Sequence, residues 1–316
     1  MLWVVVAALA FDAVIGDPDW LWRRLPHPVT LIGWLIAMLD RALNREAWSA
    51  SARRMAGMFT AVSLVAISSS AGGLIEWLTG HGIIAIVIQG LLASVLIAQR
   101  SLYQHVARVR AAFAGGLNEA RRTVSMIVGR DPDALDEPAV CRAAIESCAE
   151  NFSDGIVAPV FWLAILGLPG LIAYKTINTA DSMIGHRNAR YEDFGWAAAR
   201  LDDLVNFIPA RLSGLLIALA APLANGSIST SFKTMWRDAR QHRSLNAGWP
   251  ESAMAAVLGL ALAGPRRYDD RVVDDVFLNA EGRQSAAPDD IKRALKVLIA
   301  TCALQAAIYV ALVIVI

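Results

Sequence analysis

Long runs of apolar residues, separated by short polar stretches, are the main pattern of the chain. Four of these runs come near the roughly 20 residues that a helix needs to cross the ~30 Å hydrocarbon core of a bilayer. The second and third runs are separated only by an uncharged turn at 79–82, so we expect them to form a helical hairpin. The four predicted spans are Met1–Gly16, Met55–Leu78, Gly82–Gln99 and Ala294–Ile316.

The positive charges indicate which side of the membrane each connection faces. Six arginines lie between the first and second runs, and five more follow Gln99 before residue 123. Arginine and lysine are enriched in cytoplasmic loops, so both connections should face the cytoplasm and the turn at 79–82 should face the other side. The first run lacks a basic leader and a small-residue cleavage site, which predicts a retained helix.

Three further apolar stretches are interrupted by helix-breaking residues. The first begins with Gly155–Leu166, which is too short to cross alone, and continues into LGLPG at Leu166–Gly170, where proline and glycine break a helix. A re-entrant hairpin at this break would return Lys175 and the residues after it to the cytoplasmic side. Broken helices are tolerated in membranes where they line a cavity. The predicted broken spans or half-spans lie at about 155–185, 204–223 and 250–263.

The polar parts of the chain also predict helices. Leu102–Val128 and Ser231–Ser244 have amphipathic periodicity, and Asp136–Pro138 is a helix start signal. Pro288 likewise opens the last helix. No strand alternation persists along the chain. The sequence therefore predicts a single-domain, all-α, polytopic integral membrane protein with interrupted or re-entrant helices and amphipathic cytoplasmic helices, including a helical segment at about 100–154.

Composition supports the membrane assignment. Hydrophobic residues make up 56% of the chain and charged residues 18%. The net charge of +1 gives no basic footprint for a nucleic acid. Cys141, Cys148 and Cys302 form no CxxC pair, which argues against a disulfide framework and against a thiolate metal site.

Three carboxylates and an amide come together on the helix predicted before Gly155. Glu146, Glu150 and Asp154 follow one another at intervals of four, which places them within about 80° on one helix face, with Asn151 beside them. Like charges at this spacing repel each other unless a cation lies among them. Mg²⁺ suits such oxygens and is usually bound by one or two carboxylates plus substrate phosphates. A solvated acidic face is the alternative.

A dense polar segment follows the LGLPG break. Its first polar residues recur at intervals of three and one, so most of them share one side of a helix, and a basic group follows at once. Such donors suit a polyanion, since arginine offers phosphate a bidentate fork and lysine a point charge. Lipid headgroups are the alternative ligand, although lipid attraction does not require amide and carboxylate groups among the cations. The segment contains Lys175, Asn178, Asp181, Ser182, His186, Arg187, Arg190 and Tyr191.

A third polar group lies at Ala199–Leu212, just where an apolar stretch begins. Ionisable residues at such a boundary can snorkel to the interface, whereas those that enter a span are functional candidates. The chain contains no GxxxxGK[ST], GxGxxG or HExxH motif, so a nucleotide would be bound without a Walker loop. The group comprises Arg200, Asp202, Asp203, Asn206 and Arg211.

Four motifs stand in order along the chain: GDP…PHPV..IG from Gly16, ES..EN..DG..AP.FW from Glu146, YK..NT.DSM.GHR..RY..FG...AR.DD..N.IPAR from Tyr174, and S.NAG.PE.AMA from Ser244. Together they resemble the CbiB/CobD family of membrane-bound adenosylcobinamide-phosphate synthases over almost the whole chain. One departure follows Gly264–Pro265. The family tends to have a tyrosine closely followed by glycine there, whereas here Tyr268 precedes Asp269 and Asp270, so no role is carried onto Arg266–Gly282.

The resemblance implies a multi-pass enzyme of cobalamin biosynthesis in the cell inner (cytoplasmic) membrane, with its active site facing the cytoplasm. The implied reaction joins adenosylcobyric acid, a corrinoid, to (R)-1-amino-2-propanol O-phosphate or a related amino alcohol through an amide, using ATP and Mg²⁺. A carboxylate is a poor electrophile. Activation as an acyl phosphate, followed by attack of the amine, is therefore the expected course, and it needs cations that stabilise the transferring phosphoryl group.

Given this reaction, we assign roles to residues within the motifs by residue type. The expected Mg²⁺ ligands are Glu146, Glu150, Asn151 and Asp154. The expected catalytic residues are Lys175, Asp181, His186, Asp202 and Asp203. Binding of ATP and substrates is expected at Lys175, Asn178, Ser182, Arg187, Arg190, Arg200, Asn206, Arg211 and Asn246.

Two other classes of protein compete with the enzyme. One is an AmpE-like membrane sensor or regulator, which would not require the complete polar set. The other is a corrinoid transporter, which would place polar residues near the bilayer midplane, whereas here they cluster at one face. Besides the two substrates and the lipid bilayer, the expected partners are a second copy of the chain or other membrane enzymes of cobalamin assembly, and no nucleic acid.

Overall fold

The computed structural model describes residues 1–127, 135–268, 271–273 and 275–315. Four positions named above lie outside these ranges. They are Val128 at the end of a predicted amphipathic helix, Asp269 and Asp270 at the departure from the family pattern, and Ile316 at the end of the last predicted span.

Helices account for nearly all of the regular structure in the described part of the chain, which confirms the all-α prediction. Short 3₁₀ turns occur at Phe113–Gly115, Ala221–Ala224 and Ala239–Gln241, and a π-helical turn occurs at Ser153–Val157. The α-helices are α1 (Leu2–Val14), α2 (Asp19–Trp22), α3 (Pro28–Leu43), α4 (Ala50–Thr79), α5 (Ile83–Ser94), α6 (Gln99–Ala112), α7 (Leu117–Val124), α8 (Glu137–Phe152), α9 (Ala158–Ile184), α10 (Trp196–Val205), α11 (Phe207–Leu219), α12 (Ile228–Asp238), α13 (Gly248–Leu258) and α14 (Pro288–Val315).

The strands of the described chain are short and occur close together, largely in the segment onto which no family role was carried. They form two antiparallel pairs, β1 with β4 and β2 with β3. Strands this short do not change the fold class. Their bounds are β1 (Leu262–Ala263), β2 (Arg266–Tyr268), β3 (Arg271–Val273) and β4 (Phe277–Leu278).

Two predicted helix starts are confirmed, and two predicted helix extents are wrong. α8 starts directly after Asp136, whose carboxylate accepts the Ala139 N–H at 2.8 Å, and α14 starts at Pro288. The helix predicted over 102–128 is instead two helices, because Gly116 adopts a positive φ of 94° between α6 and α7. The helix predicted over 231–244 starts three residues earlier, at Ile228, and becomes a 3₁₀ turn at Ala239.

Four stretches of the described chain are long and apolar enough to cross a membrane, which supports the membrane assignment. Two predicted spans contain shorter helices than expected. α1 has 13 residues, a length of about 20 Å, and α5 ends at Ser94 instead of continuing to Gln99. The four stretches are Ala50–Thr79, Ile83–Gly115, Glu137–Ile184 and Pro288–Val315.

The chain divides into two compact units. The first contains residues 1–98, 158–206 and 309–316, and the second contains residues 99–157 and 207–308. In the first unit α9 packs along α4, α3 and α10 pack against both, and α1 packs against α5. In the second unit α13 contacts α8, α11 and α12, while α6 contacts α7 and α8. The core beside the end of α9 contains the buried residues Ile36, Leu64, Ala180, Ile184, Phe194 and Ala198.

The LGLPG sequence breaks α9 as predicted. Gly167 adopts φ 69° and ψ −156°, a conformation that glycine reaches easily and other residues do not. A Cβ atom on Gly170 would lie 2.6 Å from the carbonyl oxygen of Trp162, although residues eight positions apart in a straight helix are separated by about 12 Å. The chain therefore reverses here, and α9 consists of two arms in a helical hairpin.

The tip of this hairpin is docked on α4. Glu76 accepts the Leu168 N–H at 2.8 Å, so its carboxylate caps the second arm, whose first N–H groups have no partner within the helix. A Cβ atom on Gly72 would lie 2.5 Å from the Pro169 nitrogen. The lack of a side chain at Gly72 allows the two backbones to approach this closely.

Candidate functional site

The predicted polar residues of the first unit meet where the second arm of α9 packs against α10. The Asn178 Nδ2 donates to Asp202 Oδ1 at 3.4 Å, and the charge of Asp181 acts on Asp202. Asp203 follows on α10, where its Oδ2 accepts from Arg200 at 3.1 Å. The structure thus brings together three carboxylates and an amide from two predicted groups more than 20 positions apart in sequence. We call Asn178, Asp181 and Asp202 the carboxylate cluster.

Asp202 has the most perturbed protonation equilibrium of this cluster. Burial, together with the nearby carboxylate of Asp181, raises the pKa of Asp202 to about 7, while hydrogen bonds from the side chains of Asn178 and Asn206 act in the opposite direction. A carboxyl group with a pKa near 7 exchanges its proton readily at neutral pH. This property suits a general acid or base.

A buried tyrosine adjoins the carboxylate cluster and was missed by the sequence analysis. Tyr174 is 1% exposed, and its hydroxyl donates to Asn206 Oδ1 at 2.9 Å. Asn206 is also 1% exposed, so its side-chain amide is shielded from solvent. The sequence analysis included Tyr174 only as the first residue of a motif, although its position four residues before Asn178 places both on one helix face.

The remaining predicted residues on α9 surround this cluster. Lys175 is half-buried, and its backbone carbonyl accepts from Thr179 Oγ1 at 2.7 Å. Ser182 is exposed, and its hydroxyl donates to the Asn178 carbonyl at 3.0 Å, within the helix. Asp181 Oδ1 lies so near Gly185 that a Cβ there would be 2.0 Å from it. Glycine at the end of α9 therefore leaves room for this carboxylate.

The loop between α9 and α10, residues 185–195, carries the predicted cationic donors. His186 and Arg187 are exposed on it. Arg190 instead donates from Nη2 to Asp40 Oδ2 at 2.8 Å, and this hydrogen bond, with one to Tyr191, raises the pKa of Arg190 above its ordinary value. Arg190 is therefore held by a protein carboxylate.

The acidic group of the second unit is not the regular helical face that the spacing predicted. Glu146 is 3% exposed, and its Oε1 accepts the Ala263 N–H at 2.8 Å. Glu150 and Asn151 are exposed, and Asn151 donates to the Ser147 carbonyl at 2.9 Å. Asp154 lies in the π-helical turn at 153–157, which interrupts the α-helical periodicity.

This arrangement has a consequence for the predicted Mg²⁺ ligands. Within the described residues, no three His, Cys, Asp or Glu side chains are grouped so that they could hold a metal ion. One oxygen of the buried Glu146 carboxylate, Oε1, accepts a backbone N–H, and its metal role also stays a prediction. Glu150 and Asp154 still match the one or two carboxylates that accompany a phosphate-bound Mg²⁺. Their metal role stays a prediction.

Arg211 and Asn246, predicted from separate motifs, lie together in the second unit. The Arg211 Nη1 is 3.4 Å from Asn246 Oδ1. The guanidinium also lies over the rings of Phe207 and Trp249, with its carbon 3.5 Å and 4.6 Å from the ring centroids. Cation–π contacts on two sides hold the Arg211 side chain in one orientation.

A largely apolar pocket of about 300 Å³ lies beside the hairpin in the first unit. Residues of both hairpin arms, α4 and α10 line it, and Tyr174 belongs both to this lining and to the hydrogen bond with Asn206. The indole Nε1 of Trp162 donates to the Val205 carbonyl at 3.1 Å, which ties the first arm to α10. The lining residues are Val65, Ser69, Trp162, Leu166, Pro169, Gly170, Ala173, Tyr174, Ile177 and Val205.

Comparisons with known proteins agree over the length of the chain. The family model described as CobD/Cbib protein matches residues 5–298. "Cobalamin biosynthesis protein CobD" from a Sinorhizobium species is 49% identical over 99% of this chain and 98% of its own length. Proteins of the same name from Brucella suis and Rhodobacter capsulatus are 50% and 49% identical, over 98% and 92% of this chain and 95% and 91% of their own lengths. No solved structure matches. The chain belongs to the CobD/Cbib protein family.

Proposed function

We propose that this protein is an enzyme of cobalamin biosynthesis that acts as an adenosylcobinamide-phosphate synthase. It would join adenosylcobyric acid to (R)-1-amino-2-propanol O-phosphate, or a related amino alcohol, through an amide, with hydrolysis of ATP. Relatives named for cobalamin biosynthesis, similar over nearly their whole length, support the pathway. The observation that carries the reaction type is the carboxylate cluster, with its titratable Asp202, on the polar part of α9 that begins at Lys175.

Amide formation requires a neutral amine, because an ammonium group has no free electron pair. Asp202 would accept the proton that the amine loses as it attacks the activated carboxyl carbon. Its pKa of about 7 leaves a large fraction ionised at neutral pH, and the resulting acid is strong enough to release the proton again. Asn178 would orient the Asp202 carboxylate through the hydrogen bond between them.

Activation of the carboxylate by ATP requires positive charge near the phosphates. In the first unit, Lys175, His186 and Arg187 would contact the phosphates: Lys175 begins the polar part of α9, and His186 and Arg187 follow its end. ATP would arrive as its Mg²⁺ complex, and the metal would neutralise phosphate charge. Multi-pass insertion in the cytoplasmic membrane, with this end of α9 toward the cytoplasm, belongs to the proposal and follows the arginine distribution.

The position of the polar groups along α9 favours an enzyme over a transporter. Residues 168–173, at the tip of the hairpin, are apolar, and the polar residues begin at Lys175 and continue to the end of the helix. A transport pathway would place polar groups along the depth of the membrane. An interfacial enzyme requires them only at one end.

The test is an assay of purified protein with adenosylcobyric acid, aminopropanol phosphate and Mg·ATP, following ADP release and corrinoid mass. We expect equal amounts of ADP and of the amide product. Asp202→Asn should reduce the rate at least 100-fold, a typical contribution of general base catalysis. Asp289→Asn, the same change at a carboxylate that is 88% exposed, is the matched control. Folded wild-type protein that forms neither product would contradict the proposal.

A further inference from the structure

A network of polar side chains lies beneath the loop 185–195. Arg190 donates to Asp40 Oδ2 at 2.8 Å, and the other carboxylate oxygen, Oδ1, accepts from Asn44 Nδ2 at 2.9 Å. The Tyr191 hydroxyl is 3.5 Å from Asp40 Oδ2. The Asp40 side chain is only 9% exposed, whereas that of Arg190 is 47% exposed. Both oxygens of a buried carboxylate are therefore used within the protein.

The same network also holds the backbone of the loop. Asn44 Nδ2 donates to the Arg190 carbonyl at 3.1 Å. Arg53, on α4, donates from Nε to Asn44 Oδ1 at 3.0 Å, and its Nη atoms donate to the carbonyls of Ala189 and Arg190. The side chains of Asn44, just after α3, and of Arg53, on α4, thus hold two consecutive loop carbonyls.

The loop returns to the point where it starts. Gly195 lies against the Ile184 carbonyl so closely that a Cβ would be 1.6 Å from that oxygen. A compact surface loop whose ends meet is an Ω-loop, a form that is frequently functional. His186 and Arg187 lie between the start of this loop and the anchored carbonyls, so the anchor limits where their side chains can lie.

We infer that Arg190 is a positioning residue and not a phosphate ligand: together with Asp40, Asn44 and Arg53 it fixes the Ω-loop so that His186 and Arg187 stand at the polar end of α9. This inference rests on the proposed function for the role of the two cations, but the anchor itself does not depend on it. It also replaces the phosphate-binding role that the sequence predicted for Arg190.

The two roles of Arg190 predict different effects of Asp40→Asn. A buried anion does not bind phosphate, so Asp40 can act on ATP only through Arg190 and the loop. If Arg190 positions the loop, Asp40→Asn and Arg190→Ala should each lower kcat/KM for Mg·ATP about 10- to 100-fold, the effect of a displacement near 1 Å. The double variant should match the single ones within about twofold, because the two residues act as a unit.

If Arg190 instead binds phosphate, Asp40→Asn releases the guanidinium and should leave kcat/KM for Mg·ATP unchanged or raise it, while Arg190→Ala lowers it. That result would overturn the inference. Arg53→Gln provides a second variant if Asp40→Asn does not fold, and we expect the same loss from it. Arg41→Ala, at an exposed arginine on the same helix as Asp40, is the matched control and should not change the rate.

A measurement without turnover separates this inference from the proposed function. A loop released from its anchor is cleaved faster by proteases, so trypsin should cut after Arg187 at least tenfold faster in Asp40→Asn than in the wild type, with cleavage elsewhere unchanged. Equal cleavage rates would refute the anchor even in an active enzyme. If the wild type forms no amide, the proposed function fails, and the cleavage rates still decide whether the network holds the loop.

Discussion

Two neighbouring glycines of α4 differ in the space available for a side chain. A Cβ atom on Gly72 would lie 2.5 Å from the nitrogen and 2.6 Å from the Cα of Pro169, at the tip of the α9 hairpin, whereas a Cβ on Gly73 would meet nothing within 4 Å. Gly72→Ala and Gly73→Ala are therefore a matched pair. They make the same chemical change one residue apart in one helix, and only the first is made at the contact with the hairpin.

The difference in stability follows from two effects. Alanine stabilises a helix by about 0.5–1 kcal/mol relative to glycine, and both variants should gain this. Only Gly72→Ala also forces the backbones of α4 and the hairpin tip apart, and overpacking of this kind costs about 1–3 kcal/mol. Because the helix term is common to both, Gly72→Ala should be about 1–3 kcal/mol less stable than Gly73→Ala.

The assay is thermal unfolding of the purified variants in one detergent. At about 2–4 °C per kcal/mol, the melting temperature of Gly72→Ala should be roughly 2–12 °C below that of Gly73→Ala. Gly73→Ala itself should melt at or above the wild-type temperature. Equal melting temperatures for the two variants would refute the docking of the hairpin on α4 at this position.

Three further changes test other contacts. Because the pKa of Asp202 is raised, its protonated form stabilises the fold at low pH, and this stabilisation is lost as pH rises through about 7. Over the same pH range kcat/KM should rise, because the base becomes ionised. Asp202→Asn should remove both trends, as measured by unfolding at several pH values and by the pH–rate profile. Glu76→Leu removes the acceptor of the Leu168 N–H and should lower the free energy of unfolding by about 1.5–3 kcal/mol. Glu76→Gln keeps an acceptor, so in the same denaturation experiment its decrease in the free energy of unfolding should be less than half as large. Tyr174→Phe leaves the buried Asn206 amide without its donor and should lower the free energy of unfolding by about 1–3 kcal/mol. Tyr103→Phe, at a more exposed tyrosine, is the control. Equal stability of these two variants would argue against the hydrogen bond.

Local chemistry in the sequence predicted the helices and the break between the two arms of α9. Leu166–Gly170 contains the residues that end helices, and Asp136 is a standard N-cap, so both features could be predicted without a structure. The partner of the break could not be predicted, because Glu76 and Leu168 are 92 positions apart and only folding brings them together. For the same reason Glu76 looked like an ordinary residue at the end of an apolar run.

The candidate site was predictable by residue type and less so by role. Asn178 and Asp202 were assigned from two separate polar groups of the sequence and do meet. Arg190 was assigned to phosphate because arginine suits phosphate, and no local pattern indicated that Asp40, 150 positions away, holds it. The regular spacing from Glu146 assumed an uninterrupted α-helix, which the π-helical turn at 153–157 does not provide.

Two glycines of α4, about four turns apart, contact the tip of the hairpin and the loop that follows its second arm. Gly57 contacts the Phe194 carbonyl, close to where α9 ends, and Gly72 contacts Pro169 at the tip, so the two contacts lie about 22 Å apart along α4. The polar residues of α9 lie toward the Gly57 end, and Arg53 lies four residues before Gly57 on α4. In the proposed orientation, with the arginines at the start of α4 on the cytoplasmic side, the substrates of the proposed reaction would reach the carboxylate cluster without entering the apolar part of the hairpin. This arrangement requires no conformational change across the membrane, and it is the physical reason to prefer a synthase over a transporter.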